Sequence, residues 1–314
     1  MSSFRKLTVA STIATLCLVA VGGLVRATKS GLGCGTDWPD CGGRVIPVFG
    51  SPAVVIEYAH RLAAAAVIVL IGALAVVGLR RMRDRAGLGW LAAAAFGLVL
   101  GQAVLGAIVV KLELDAVSVV LHLGLAMTLV AVLVHLTVKT HVLDGRLAPL
   151  ADGRAASWAR VAAASVFLLL LVGSYVSGRD AGYVFPDWPL MNGALVPDLS
   201  VDLYAIHFFH RALAVVVGLI VAAAIIPVVR GSRDATQVRL AYAAGGLYLL
   251  QVLIGAANVW TRLNSGFVTV HLLTGALIWA CLVGLAAVAR QGTAASEAGE
   301  TVATGRPVIE MANR

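Results

Sequence analysis

The sequence predicts an all-α integral membrane protein. Eight transmembrane helices form two parallel four-helix-bundle repeats, related by a pseudo-two-fold axis along the membrane normal. Three observations predict this. The 314 residues are 60% hydrophobic and only 13% charged, whereas a soluble domain carries about 25% charged residues. Apolar runs of about 18 residues or more recur, long enough to cross a bilayer as helices. A series of landmarks in the first half returns in the second at an offset of 149–151 positions.

The spans run roughly over 7–26, 55–79, 89–111, 116–138, 158–177, 203–229, 238–260 and 266–289. Helices are the spanning structure because each pairs its backbone groups internally. The period-two alternation of a barrel does not occur. Residues 1–26 have the basic start of a signal peptide, but their apolar part is long for one and has a second-half counterpart. They are read as the first span. The outer loop 27–54 is Gly-rich and holds Cys34, Trp38, Pro39, Cys41 and Pro47, which indicates turns. The second span brings Glu57 and His60 and ends at the Arg80–Arg85 cluster. The third carries Gln102, and the fourth has His122 near its start.

The pattern then begins again. Val172-Gly173 matches Val21-Gly22, and Asp187-Trp188-Pro189 matches Asp37-Trp38-Pro39. Pro197 matches Pro47, His210-Arg211 matches His60-Arg61, Gln251 matches Gln102, and His271 matches His122. One offset held over so many landmarks indicates an internal duplication. An even number of helices per half gives both halves the same orientation. The expected units are residues 1–145, 146–290 and a polar, disordered cytoplasmic tail, 291–314.

The net charge of +8 is read through its distribution, not as a nucleic-acid footprint. Sixteen of the 24 Lys and Arg residues fall on one side of the predicted spans and eight on the other. That bias puts both termini in the cytoplasm. The His-Arg pairs then lie toward the outer face of a multi-pass protein of the cell membrane.

Ionisable residues inside membrane helices usually face the interior and mark function. His60 and His122 sit at similar depth in the first half, as do His210 and His271 in the second. Such pairs can hold a heme between two imidazoles, or make interhelical hydrogen bonds. Their duplication favours ligation. Two histidines per half fall short of a tetrahedral zinc site. Arg61 and Arg211 either meet heme propionates or snorkel to the headgroups. Glu57 lies on the same helix face as His60, and its repeat counterpart is His207. It is either a carboxylate favoured near a helix N-terminus or one that moves protons and steadies positive charge beside a heme. Cys34 and Cys41 lie on the oxidising side, so a disulfide is expected, as a structural staple or a redox-active pair. Cys17 and Cys281 are read as packing residues. Gln102, Gln251 and Asn258 are read as interhelical hydrogen-bonders. His135 and His141 belong to the cytoplasmic boundary.

Gly22-Gly23-Leu24-Val25-Arg26, then Ser30-Gly31-Leu32-Gly33-Cys34 with Trp38-Pro39 and Cys41-Gly42, then Glu57-Tyr58-Ala59-His60-Arg61, resembles the bacterial heme A synthase family. The resemblance covers about residues 7–290. It implies oxidation of the C8 methyl of heme O to the formyl of heme A, for terminal oxidases. It implies a heme b cofactor on His210 and His271, and substrate heme O on His60 and His122. It also implies a carboxylate needed for activity at Glu57 and an outer-loop disulfide between Cys34 and Cys41. Some members have a second cysteine pair between the fifth and sixth helices, which this sequence lacks. Membrane lipid, an electron acceptor or donor and a complex with heme O synthase are the implied partners; nucleic acid is not. The rival readings are a non-enzymatic di-heme membrane cytochrome, which would want hemes at both faces, and a transporter, which would want broken helices at midplane.

Overall fold

The computed structural model describes residues 1–83, 85–148 and 153–303, with side chains to residue 288 in the last helix. Among the described residues there are eight α-helices, and all eight are long and apolar enough to cross a membrane. They are α1 (Ser2–Ala27), α2 (Pro52–Arg81), α3 (Leu88–Lys111), α4 (Ala116–Leu143), α5 (Gly153–Gly178), α6 (Asp202–Gly231), α7 (Ala235–Trp260) and α8 (Ser265–Ala303). Each contains one expected span and runs past it by at least one residue.

Local chemistry sets several of these boundaries. Ser51 caps α2 by accepting from the Val54 N–H, with Pro52 behind it at the first helical position. Asp115 accepts from Val117 and Ser118 at the start of α4, and Asp234 from Thr236 and Gln237 at the start of α7. The outer turns before α4 and α8 are built alike. Each places two consecutive residues at positive φ, Glu113-Leu114 and Arg262-Leu263.

Helices α1 to α4 pack as a ring of neighbours, and α5 to α8 pack as another. The two rings meet through α1 on α8, α4 on α5, and α4 on α8. The first two contacts are counterparts under the 150-residue offset. The seam is built from small residues: Ala155, Ala156, Ala159, Ala162 and Ala163 of α5 are all buried. Without a hydrophobic drive in lipid, such close approach is what holds membrane helices together. Polar ties reinforce it. The Trp279 indole N–H donates to the Met127 carbonyl, and Arg26 at the end of α1 donates to the Ser177 carbonyl at the end of α5. Within the first ring, at the opposite end, Arg5 of α1 pairs with Asp144 at the end of α4.

The expected boundary between residues 145 and 146 falls in the connection between α4 and α5, where 149–152 lie outside the described residues. Helix α8 runs on to Ala303, in keeping with the helix propensity of Ala, Glu and Gln. Residues 304–314 lie outside the described residues.

Candidate functional site

The four repeated histidines lie in the first turns of α2, α4, α6 and α8, within about 12 Å of each helix start at 1.5 Å per residue. His60 and His122 are close enough to interact electrostatically, as are His210 and His271. Each ring lies over a glycine of the neighbouring helix. A Cβ on Gly22 would stand 3.5 Å from the His60 ring, and one on Gly173 only 3.1 Å from His210. On the other side, Gly106 would meet His122 at 3.2 Å and Gly255 would meet His271 at 3.4 Å. These glycines are seats that larger residues would fill. The Gln102 amide donates to the His122 carbonyl at 3.0 Å, and Gln251 to the His271 carbonyl at 2.9 Å. Each glutamine ties its helix to the next at the level of the histidine.

The rings are half-buried. Nδ1 of all four is buried without a hydrogen-bond partner, whereas Nε2 is not among the buried unpaired atoms. Nε2 is thus the nitrogen that remains available to a ligand. Among the described residues no three His, Cys, Asp or Glu side chains gather around one point. Two imidazoles per half, seated on glycines with Nε2 accessible, fit the axial ligation of a heme. They do not fit a closed tetrahedral site, which needs twice as many ligands.

Glu57 and Arg61 take partners that the sequence reading did not anticipate. Glu57 is only 3% exposed. Its Oε2 accepts from the Cys34 N–H at 2.7 Å, and its Oε1 accepts from Arg61 Nη2 at 2.5 Å. Arg61 Nη1 donates to the carbonyls of Asp37, Pro39 and Asp40 at 3.0, 3.2 and 2.6 Å. A disulfide joins Cys34 to Cys41. The guanidinium therefore fills the loop that the disulfide closes, and Glu57 neutralises it from the helix side, as a buried charge requires. Arg61 thereby clamps the loop through its carbonyls.

The second half builds the same clamp from different chemistry. Arg211 Nη1 donates to the Leu190 carbonyl at 3.0 Å, and its Nε donates to His207 Nε2 at 2.8 Å. His207 Nδ1 lies 2.7 Å from the Ala181 carbonyl, so the network assigns the proton to Nδ1 and leaves the ring neutral. Where the first loop has its disulfide, the second has an apolar plug. Phe185 is fully buried, packing on Tyr204 and His207. Trp188 meets Trp260 edge-on at 5.9 Å. Asp187 accepts from the Gly193 and Asn192 N–H groups, each at 2.8 Å. Those donors, Gly193 first, hold its carboxyl below the usual range.

Three minor expectations are refined. Cys281 is half-buried, but Cys17 is exposed on α1, so it faces outward instead of packing. Asn258 is buried with Oδ1 unpartnered, as are Oε1 of Gln102 and Gln251, whose interhelical bonds run through Nε2. His141 contacts the Thr137 carbonyl near the basic end of α4. A cleft of about 390 Å³ lies at the basic end of α1 and α2, far along the helices from the histidines.

This constellation can be compared with known proteins. The model of the COX15-CtaA family, cytochrome oxidase assembly protein, matches residues 5–51 and 48–283. The chain belongs to this family. Relatives in it are similar over nearly their whole length. The heme A synthase of Shouchella clausii is 29% identical, over 81% of this chain and 84% of its own. That of Lysinibacillus sphaericus is 28% identical over 87% and 91%. That of Geobacillus thermodenitrificans is 28% identical over 94% and 95%. The COX15-CtaA match spans both halves, so both histidine pairs and both loop clamps lie within it.

Sequence reasoning missed the glycine seats. Gly22 and Gly173 are repeated landmarks, and Gly106 and Gly255 follow the landmark glutamines by four residues, but which helix lies opposite each glycine is a property of packing. Periodicity within a single helix does not reveal it.

Proposed function

We propose that this chain is a heme A synthase, an oxidoreductase that converts the C8 methyl of heme O to a formyl group. The observation that carries the reading is a repeated site with one asymmetry. Both halves offer paired imidazoles on glycine seats, while a buried carboxylate, Glu57, stands where the second half has the neutral His207. Full-length similarity to relatives of that name supports it.

In this reading His210 and His271 hold the cofactor heme b, and His60 and His122 hold the substrate heme O. A bound heme b supplies a store for electrons taken from the methyl group. The chain's own residues do the rest. The imidazoles fix each macrocycle between two helices, and Gln102 and Gln251 hold the helix carrying each distal histidine. Glu57 keeps a negative charge at the outer edge of the first bundle, where it steadies positive charge developing on the methyl carbon. Cys34–Cys41 and Arg61 close the loop above. The protein sits in the cell membrane with both termini cytoplasmic and its hemes toward the outer face. An electron acceptor and heme O synthase are its expected partners.

The test is pigment extraction from cells expressing this chain beside heme O synthase. Heme A is expected in the extract, and its absence from cells that do accumulate heme O would overturn the assignment. The seats give a second prediction. Gly173→Val drives a branched side chain into the His210 ring, so heme b retention should fall about 10- to 100-fold, the range seen when a ligand's support is lost. Soret absorbance of the purified protein reads this directly. Gly246→Val, where nothing lies within 4 Å of an added Cβ, should leave it unchanged.

A further inference from the structure

We propose that the groove between the basic ends of α1 and α2 is a binding site for one anionic phospholipid of the adjoining leaflet. This goes beyond the heme reading and does not rest on it. The groove, about 390 Å³, is lined by Ser3, Lys6, Leu7, Ala10, Val77 and Arg81. Its floor is apolar, and its mouth holds two exposed cations. Among the described residues neither Lys6 nor Arg81 makes an ion pair. A second cleft of about 320 Å³ continues on the far side of Lys6, along Val9, Ala10 and Ile13. Lys6 therefore stands between two apolar tracks, the arrangement that a phosphate with two acyl chains requires.

Depth agrees with this placement. Arg81 is the last residue of α2. Nearby, Trp90 in the first turn of α3 is 61% exposed, with the Arg83 guanidinium 5.7 Å above its ring. Exposed tryptophan beside arginine is characteristic of the headgroup level. Basic pockets between transmembrane helices at that level take anionic headgroups.

The duplication supplies an internal control. At the same offset Ser157 stands for Lys6, Trp158 for Leu7, Val161 for Ala10, Pro227 for Val77 and Gly231 for Arg81. Both cations are gone from these positions, and the bulkier Trp158 and Val161 stand where Leu7 and Ala10 line the groove. Arg154 replaces Ser3 and is itself engaged. The second half has a basic end but not this pair of cations at it.

The full chain, reconstituted in phosphatidylcholine doped with phosphatidylglycerol, is re-extracted and its retained lipid measured by mass spectrometry. Wild type should retain phosphatidylglycerol preferentially. K6Q/R81Q should lower that preference about 25-fold, at roughly fivefold per cation near the surface. L7W/A10V copies the second half's bulk without changing charge and should lower it as well. R160Q/R230Q removes equal charge from the second half and should change it by less than about twofold. Gel filtration and helical circular dichroism verify that each variant folds; if K6Q/R81Q does not fold, L7W/A10V carries the test. Equal losses in both charge variants, or full retention in L7W/A10V, would mean diffuse surface attraction and overturn the proposal. So would the absence of any preference in wild type.

Discussion

Glu57→Gln is expected to lower heme A formation by at least about 100-fold, the scale of losing a positioned acid–base group, while both hemes remain bound. The carboxylate has two jobs in the structure. One is mechanical, because it accepts from the Cys34 N–H and from Arg61. The other is electrostatic, because it is a buried negative charge three residues before a heme-ligand candidate. The amide separates them. Its single oxygen still accepts one of the two hydrogen bonds, and Arg61 keeps its three carbonyls. Loss of one charge-assisted bond should lower stability by about 2 kcal/mol, and the fold should survive. The measurement is the ratio of heme A to heme O in extracted pigment, with bound heme read alongside. Wild-type heme A from Glu57→Gln would reduce Glu57 to a loop anchor. Loss of all bound heme would make it a structural residue.

Most of the fold was legible because lipid makes stringent demands. A helix that must bury its whole backbone needs a long apolar run, and all eight runs became helices. The repeat was legible from paired landmarks such as His60 with His210 and Gln102 with Gln251. The loops were not. The carbonyl partners of Arg61 and Arg211 were hidden because their positions on α2 and α6 were readable but the return path of the loop was not. Only when the segment from Cys34 to Cys41 folds back over α2 do three carbonyls converge on one guanidinium. The chemical difference between Glu57 and His207 was visible in sequence, whereas the partners each takes were not. A carboxylate and a neutral imidazole both serve as acceptors for the arginine four residues on, so a mechanical role alone leaves the choice between them unexplained.

His210→Ala should strip the resident heme from the purified protein by at least about tenfold, whereas His60→Ala should leave it in place. The ligand geometry of the two halves is alike, so the argument rests on what covers each site. Over the second half, Phe185 is fully buried and Trp188 is braced by Trp260. Over the first half, Trp38 is 42% exposed, and the counterpart of Trp260 is Lys111. A cofactor that stays needs the apolar plug. A substrate that must enter and leave needs a cover that lacks one, held at its rim by a disulfide and a charged clamp. Soret absorbance and extracted heme type, measured on both variants, distinguish the halves. Heme b lost from His60→Ala and kept in His210→Ala would reverse the assignment of cofactor and substrate sites while leaving the family and the fold untouched.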